Sequence, residues 1–199
     1  MLLPTLKTDR LKIRPLTAND LSVCHQLYLD TRWAEKGLTD EQNLQIRRGW
    51  LDWTIRNYAE LDRLNQPPYG DRAVELRENG QLIGLVGLVP LLAPFAQLPT
   101  FGTQVDAPFS AEVGLFWMIC PTMQGRGLAT EAAHSLVRFA FDVLKVGRIL
   151  AGTEYSNFAS IAVMRKLGMR IERNPFPSPA WFQITGILQA FPRLCGGPS

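Results

Sequence analysis

The stretch Ala111-Glu112-Val113-Gly114-Leu115-Phe116-Trp117-Met118-Ile119-Cys120-Pro121-Thr122-Met123-Gln124-Gly125-Arg126-Gly127-Leu128-Ala129-Thr130 decides the reading of this chain. Ala111 to Ile119 is nearly continuously apolar, broken by Glu112, and reads as a buried strand that Cys120-Pro121 ends. A glycine-containing turn then feeds a helix expected over 127–145, where Leu128, Ala132, Leu136, Val137, Ala140 and Leu144 recur at helical spacing. The free N–H groups and positive dipole end of a helix N-terminus attract anions. Gly125 and Gly127 allow close backbone approach and positive φ, and Arg126 adds a charge. The turn is therefore a candidate pyrophosphate cradle, although many helices begin after a glycine and bind nothing. It is neither a P-loop, since Gly-Lys-Ser/Thr is absent, nor a G-x-G-x-x-G fingerprint.

Working outward, Leu6 to Leu16 reads as a strand, and Thr17 with Asp20 three residues on reads as the cap of a first helix. Thr39-Asp40-Glu41 opens a longer helix carrying Ile46, Trp50, Trp53 and Ile55, with its end marked by Asn65-Gln66-Pro67-Pro68. Arg72 to Arg77 and Leu82 to Pro90 are expected as a hairpin turning at Asn79-Gly80. Leu91 to Ser110 is apolar, Pro-rich and without period, and reads as a long inter-strand loop, either a substrate-binding lid or a plain insertion. Arg148 to Glu154 is a strand, Asn157 to Leu167 a helix stopped by Gly168, and Met169 to Arg173 and Trp181 to Leu188 are closing strands. Strands interleaved with helices imply one α/β domain over 1–199.

Composition narrows the function classes. An apolar fraction of 46% with 20% charged residues suits a globular domain with a sizeable core. The net charge of +3 comes from scattered Arg and Lys rather than a basic patch, so no nucleic-acid partner is expected. Cys24, Cys120 and Cys195 share no metal-ligand spacing, and their odd number argues against a disulfide framework. Neither metal nor membrane partner is expected, because the chain has no apolar run long enough to span a bilayer. Lys7, Asp9 and Arg10 follow the first residues closely and leave no room for a secretory signal core, so the expected location is cytoplasmic.

Gln124-Gly125-Arg126-Gly127-Leu128-Ala129 resembles the Q/R-x-x-G-x-G/A signature of the GNAT acetyltransferase superfamily. Three further segments resemble its Rim-like branch of ribosomal-protein N-terminal acetyltransferases. Glu112 to Trp117 resembles the E-I-G-Y-W strand, Asn157 to Met169 the N-x-x-S-x-x-V-x-x-K-L-G-F segment, and Leu6 to Leu16 the L-x-T-x-R-L-x-L-R-x-L start. The resemblance implies a three-layer sandwich, with a mixed, mostly antiparallel sheet and helices on both faces. It implies acetyl-CoA as co-substrate and direct attack by a primary amine in a ternary complex. The acceptor would be a peptide or protein N-terminus or a small amine, and the protein a monomer or homodimer. A non-catalytic CoA-binding regulatory module is the alternative.

The resemblance also implies residue roles. The strand over Phe116 to Ile119 would splay from its neighbour and pair with the pantetheine arm through Trp117, Met118 and Ile119, with an amide near Met118 or Ile119 polarising the thioester carbonyl. The amides of Gln124, Gly125, Arg126, Gly127, Leu128 and Ala129, continued by Thr130, would hold the pyrophosphate. Asn157 would lie near the pantetheine and Ser160 near the sulfur. Glu112, a carboxylate in an apolar strand, is a candidate base or else a partner for an arginine. Ser160 is a candidate acid or else a hydrogen-bonding residue of its helix, because Met164 occupies the position where many members carry a tyrosine. His25, His134 and Cys120 are less apt, and Trp33, Trp50, Trp53 and Tyr58 either line an acceptor pocket or belong to the core.

Overall fold

The computed structural model describes residues 3–190, so Cys195 and the first two residues lie outside the described region. The expected first strand is a short hairpin, β1 (Leu6–Lys7) and β2 (Leu11–Pro15). It turns because the Thr8 hydroxyl accepts from the Leu11 N–H at 2.9 Å. Asp20 accepts from the Thr17 N–H and leads into α1 (Leu21–Asp30). Thr39 caps α2 (Asp40–Arg63) by accepting from the Gln42 N–H, as its sequence position requires.

Strands β3 (Gly70–Leu76), β4 (Leu82–Ala93) and β5 (Ser110–Ile119) form an antiparallel meander. Helix α3 (Leu128–Asp142), strand β6 (Arg148–Thr153), helix α4 (Phe158–Lys166), and strands β7 (Arg170–Arg173) and β8 (Ile184–Gln189) complete the described chain. The sheet order is β1-β2-β3-β4-β5-β6-β8-β7, antiparallel except where β5 meets β6. A mixed sheet between two helical layers is what the sequence led one to expect.

Several boundaries differ from expectation. Leu91 to Ala93 extend β4 by pairing with Glu112 to Ser110, so the irregular segment is 94–109 rather than Leu91 to Ser110. It is a packed insertion: Phe95 and Leu98 bury against Leu150, Phe182 and Ile187, and Gln97 accepts from the Asn174 amide. Trp181 and Phe182 precede β8 rather than belonging to it.

Two cores flank the sheet. On one face Leu128, Ala132, Leu136 and Ala140 of α3 pack with Ile161 and Met164 of α4 on Ile13, Val74, Val86 and Leu115. On the other, Cys24, Leu27 and Tyr28 of α1 and Leu51 of α2 pack on Ala73, Leu85 and Met118. Among the described residues no helix is long and apolar enough to cross a membrane. Leu136 is fully buried at the centre of the first core. Leu136→Ala is expected to cost about 3 kcal/mol, since the cavity cannot collapse between helix and sheet. That should lower Tm by about 6–12 °C in a thermal melt.

Candidate active site

Strand β5 is zipped to β4 along its whole length, from Gly84 with Ile119 to Ala93 with Ser110. Its pairing with β6 is recorded only at Gly114 with Leu150. Beyond Gly114 the two parallel strands diverge and leave a gap in the sheet. Backbone direction within the gap follows from alternation. The Cys120 N–H donates to the Ile83 carbonyl at 2.8 Å, and the Met118 carbonyl abuts Gly84, so both residues turn their main chain toward β4. Trp117 and Ile119 therefore turn theirs toward the gap. Of the two amides considered from sequence, that of Ile119 faces the opening and that of Met118 does not.

The turn after β5 is shaped by its glycines. Gly125 has φ 75° and Gly127 has φ 78°, left-handed values that strain any residue with a Cβ. Gly127 is the N-cap of α3, and the first intrahelical N–H bond from this end is Glu131 to the Gly127 carbonyl at 3.0 Å. The amides of Leu128, Ala129 and Thr130 are thus left without helical partners. Gln124 ties the turn to the strand by donating from Nε2 to the Ile119 carbonyl at 2.8 Å.

The gap and the turn open into one cleft of about 650 Å³. It is lined by Trp117, Met118, Ile119, Gln124, Gly125, Gly127, Leu128, Ala129, Thr130, Asn157 and Ser160. Ten of the cofactor-contact residues expected from sequence, together with Ser160, therefore come together here. Asn157 caps α4, its Oδ1 accepting from the Ser160 N–H at 3.0 Å, and so fixes Ser160 at the helix start facing the cleft. Met164 is fully buried, with its sulfur packed against Gly186, and it does not line the cleft.

Two expected residues lie elsewhere. Glu112 sits at the far end of β5, where Arg148 grips both of its oxygens, one at 3.1 Å. It is five residues from Trp117 on a strand rising about 3.3 Å per residue, out of reach of the cleft, so the ion-paired reading replaces that of a base. Arg126 lines a separate small pocket with Arg10 and Arg77 and is not among the residues of the cleft. Among the other candidates, His25 bonds Asp40 at 2.9 Å, His134 is exposed, and Tyr58 donates to the Asp71 carbonyl as a core strut.

The sequence reading missed two parts of the site. One is the wall Asp30-Thr31-Arg32 between α1 and α2, beside which Trp33, already a candidate for an acceptor pocket, lies edge-on to Phe116 at 5.8 Å. The other is a brace on the turn. Arg10 donates from Nε to Glu131 at 2.7 Å and from Nη1 to the Arg126 carbonyl at 3.0 Å, and Thr8 donates to Glu131 at 2.5 Å. The only local signal of the brace was a carboxylate in the first turn of α3, because its partners are more than a hundred positions away. The opposite face of the cleft is formed by Ala159, Ser160, Ala162, Val163 and Lys166, whose helical spacing on α4 is legible once the cleft is known.

Burial alone would raise the Glu131 carboxyl, but hydrogen bonds from Thr8 and Arg10 outweigh it and hold it below the usual glutamate range. A lowered folded value gives stability that is present above the unfolded value of about 4.3 and is lost as pH falls through the folded one. The Tm advantage of the wild type over Glu131→Gln is therefore expected to be full near pH ~7. It should shrink on acidification and vanish once both states are protonated, which melts across that range would read.

Comparison with known proteins agrees with this geometry. The acetyltransferase (GNAT) domain family matches residues 10–170. The spermidine N(1)-acetyltransferase of Escherichia coli K12 is 27% identical over 164 residues, covering 81% of this chain and 73% of that protein. An acetyltransferase from Agrobacterium tumefaciens superposes with a TM-score of 0.68 at 23% identity, covering 95% of this chain and 96% of the other. The ribosomal-protein-S5-alanine acetyltransferase from Vibrio fischeri does so with a TM-score of 0.65 at 14% identity, covering 95% and 98%. These structural likenesses carry the fold, and the family match carries the chemistry: the chain belongs to the GNAT acetyltransferase domain family and is an acyl-CoA-dependent N-acetyltransferase.

Proposed function

We propose that the cleft between β5 and α4 is the acetyl-CoA site and that the acceptor amine approaches from the α1/α2 side, past Trp33. The observation that supports this best is the joining of two unpaired sets of backbone donors in one cavity, the strand edge at Trp117 and Ile119 and the first turn of α3. An extended amide-bearing arm suits the first, and a pyrophosphate suits the second. Lys166, on the same wall, supplies a cation to the phosphate end.

In this reading the thioester lies beside Ile119, whose N–H stabilises the charge that develops on its carbonyl oxygen. The amine forms the N–C bond directly and the C–S bond breaks, with its electron pair staying on sulfur. Ser160 is placed to hydrogen-bond the departing thiolate. Met164, held in the core, supplies no proton. The acceptor is a primary amine, either a polyamine or the N-terminus of a peptide, and these are the classes named for the relatives.

Saturating acetyl-CoA is expected to raise Tm by about 5–10 °C, from ~2.7 kcal/mol of linkage at a hundredfold excess over Kd. Gly127→Val should abolish that shift, because the side chain cannot hold the left-handed φ that aims the amides. Thiol release with spermidine and with an alanine-terminated peptide then identifies the acceptor class. Absence of any donor shift in the wild type refutes the site. Ser160→Ala should lower kcat by less than about tenfold if the thiolate mostly leaves unprotonated.

A further inference from the structure

With Glu112 tied to Arg148, no residue so far accounts for the proton that an ammonium must lose before it can attack. Most carboxylates near the acceptor side are already engaged: Asp20 and Glu75 with Arg14, and Asp40 with His25. Asp71 is different. It stands on β3 opposite Gly87, which stands opposite Phe116 on β5, so the three form one row across the α1/α2 face of the sheet. Phe116 is the residue that Trp33 of the cleft wall packs against. Gly87 lets the Asp71 carboxylate lie over the middle of the row: a side chain there would put its first carbon 2.9 Å from Asp71 Oδ1 and 2.7 Å from the Gly70 carbonyl. The row spans about 10 Å from Asp71 to Phe116, two inter-strand spacings.

Among the described residues the Asp71 side chain makes no hydrogen bond or ion pair. The groups facing it are Tyr28 and Cys24 from α1, Arg47 and Tyr58 from α2, and Arg72 beside it on β3. Arg47 is 7% exposed, stacks on the Tyr28 ring at 3.0 Å, and leaves its Nε without a hydrogen-bond partner. Two opposite charges thus share one compartment without pairing with each other.

We propose that Asp71 is the proton acceptor for the incoming ammonium, through water between its carboxylate and the Phe116 end of the row. This rests on the cleft being the acetyl-CoA site. The ammonium enters past Trp33 and Phe116 and gives one proton through the water to the Asp71 carboxylate, which later releases it to solvent. The freed lone pair forms the N–C bond. The second proton leaves nitrogen as the C–S bond breaks, and the thiolate takes it to become the free thiol. Burial raises the Asp71 carboxyl to about 6, against the opposing pull of Arg47 and Arg72, so it is ionised at neutral pH yet basic enough to hold a proton briefly. Arg47 is a positioning residue, keeping that value from rising further.

The test is the pH profile of kcat/KM for acetyl-CoA-dependent thiol release with spermidine and with an alanine-terminated peptide. The wild type should show an acidic limb near pH ~6. Asp71→Asn should lose the limb and about a hundredfold of activity at neutral pH, while keeping the wild-type Tm shift with acetyl-CoA. Asp71→Glu should restore part of the rate and bring the limb back. Asp30→Asn, at the mouth of the cleft, should keep the limb. The proposal is overturned if the wild type has no acidic limb, if Asp71→Asn retains it with an intact donor shift, or if Asp30→Asn removes it. Loss of the donor shift in the wild type itself would instead overturn the cleft assignment, and the role of Asp71 with it.

Discussion

The divergence of β5 from β6 after Gly114 is the constraint on which the rest of the site depends. A buried strand edge without partners is costly, since each unpaired N–H or C=O forfeits a hydrogen bond that water would otherwise make. The fold keeps the edge open by holding β5 firmly on its other side, with continuous pairing to β4 over its full length. It also anchors β6 elsewhere, through six pairs to β8. The two halves of the sheet are thereby fixed to different neighbours, and the space between them is a cleft rather than a flaw. In the proposed site, the amide-bearing arm of the donor would supply the missing partners.

The second element is the control of the turn that begins α3. Left-handed backbone at Gly125 and Gly127 aims the amides, but conformational freedom alone does not select one geometry. Selection comes from two anchors, Gln124 on the Ile119 carbonyl and Arg10 on the Arg126 carbonyl. Arg10 also neutralises Glu131, a carboxylate that would otherwise weaken the attraction of the helix N-terminus for an anion. Exposed ion pairs of this kind contribute about 1 kcal/mol or less to stability, so the brace matters more for the shape of the loop than for the fold as a whole.

The two faces of the sheet divide the labour. Trp117 and Ile119 project toward α3 and α4, where the donor is proposed to lie. Phe116 and Met118 project toward α1 and α2, where the acceptor is proposed to arrive. This is a consequence of the two-residue period of a strand, and it lets one short segment serve both substrates. The apolar residues of the insertion 94–109 pack on β6 and β8, and none of its residues lines the cleft.

The sequence by itself determined the order of elements, the fold class and the glycine-shaped turn proposed to hold the phosphates. Those features are written locally, in apolar periodicity, in capping residues such as Thr39 and Asn157, and in glycines placed where φ must be positive. It left open the role of Glu112 and gave no sign of Asp71, because the charge state and use of a carboxylate depend on what distant strands and helices bring beside it. Only the tertiary structure paired Glu112 with Arg148 and Arg10 with Glu131, and left Asp71 without an ion pair beside Gly87. Spacing along the chain carries no information about such contacts, which are set by the register of β-strands and the packing of α1 and α2 over them.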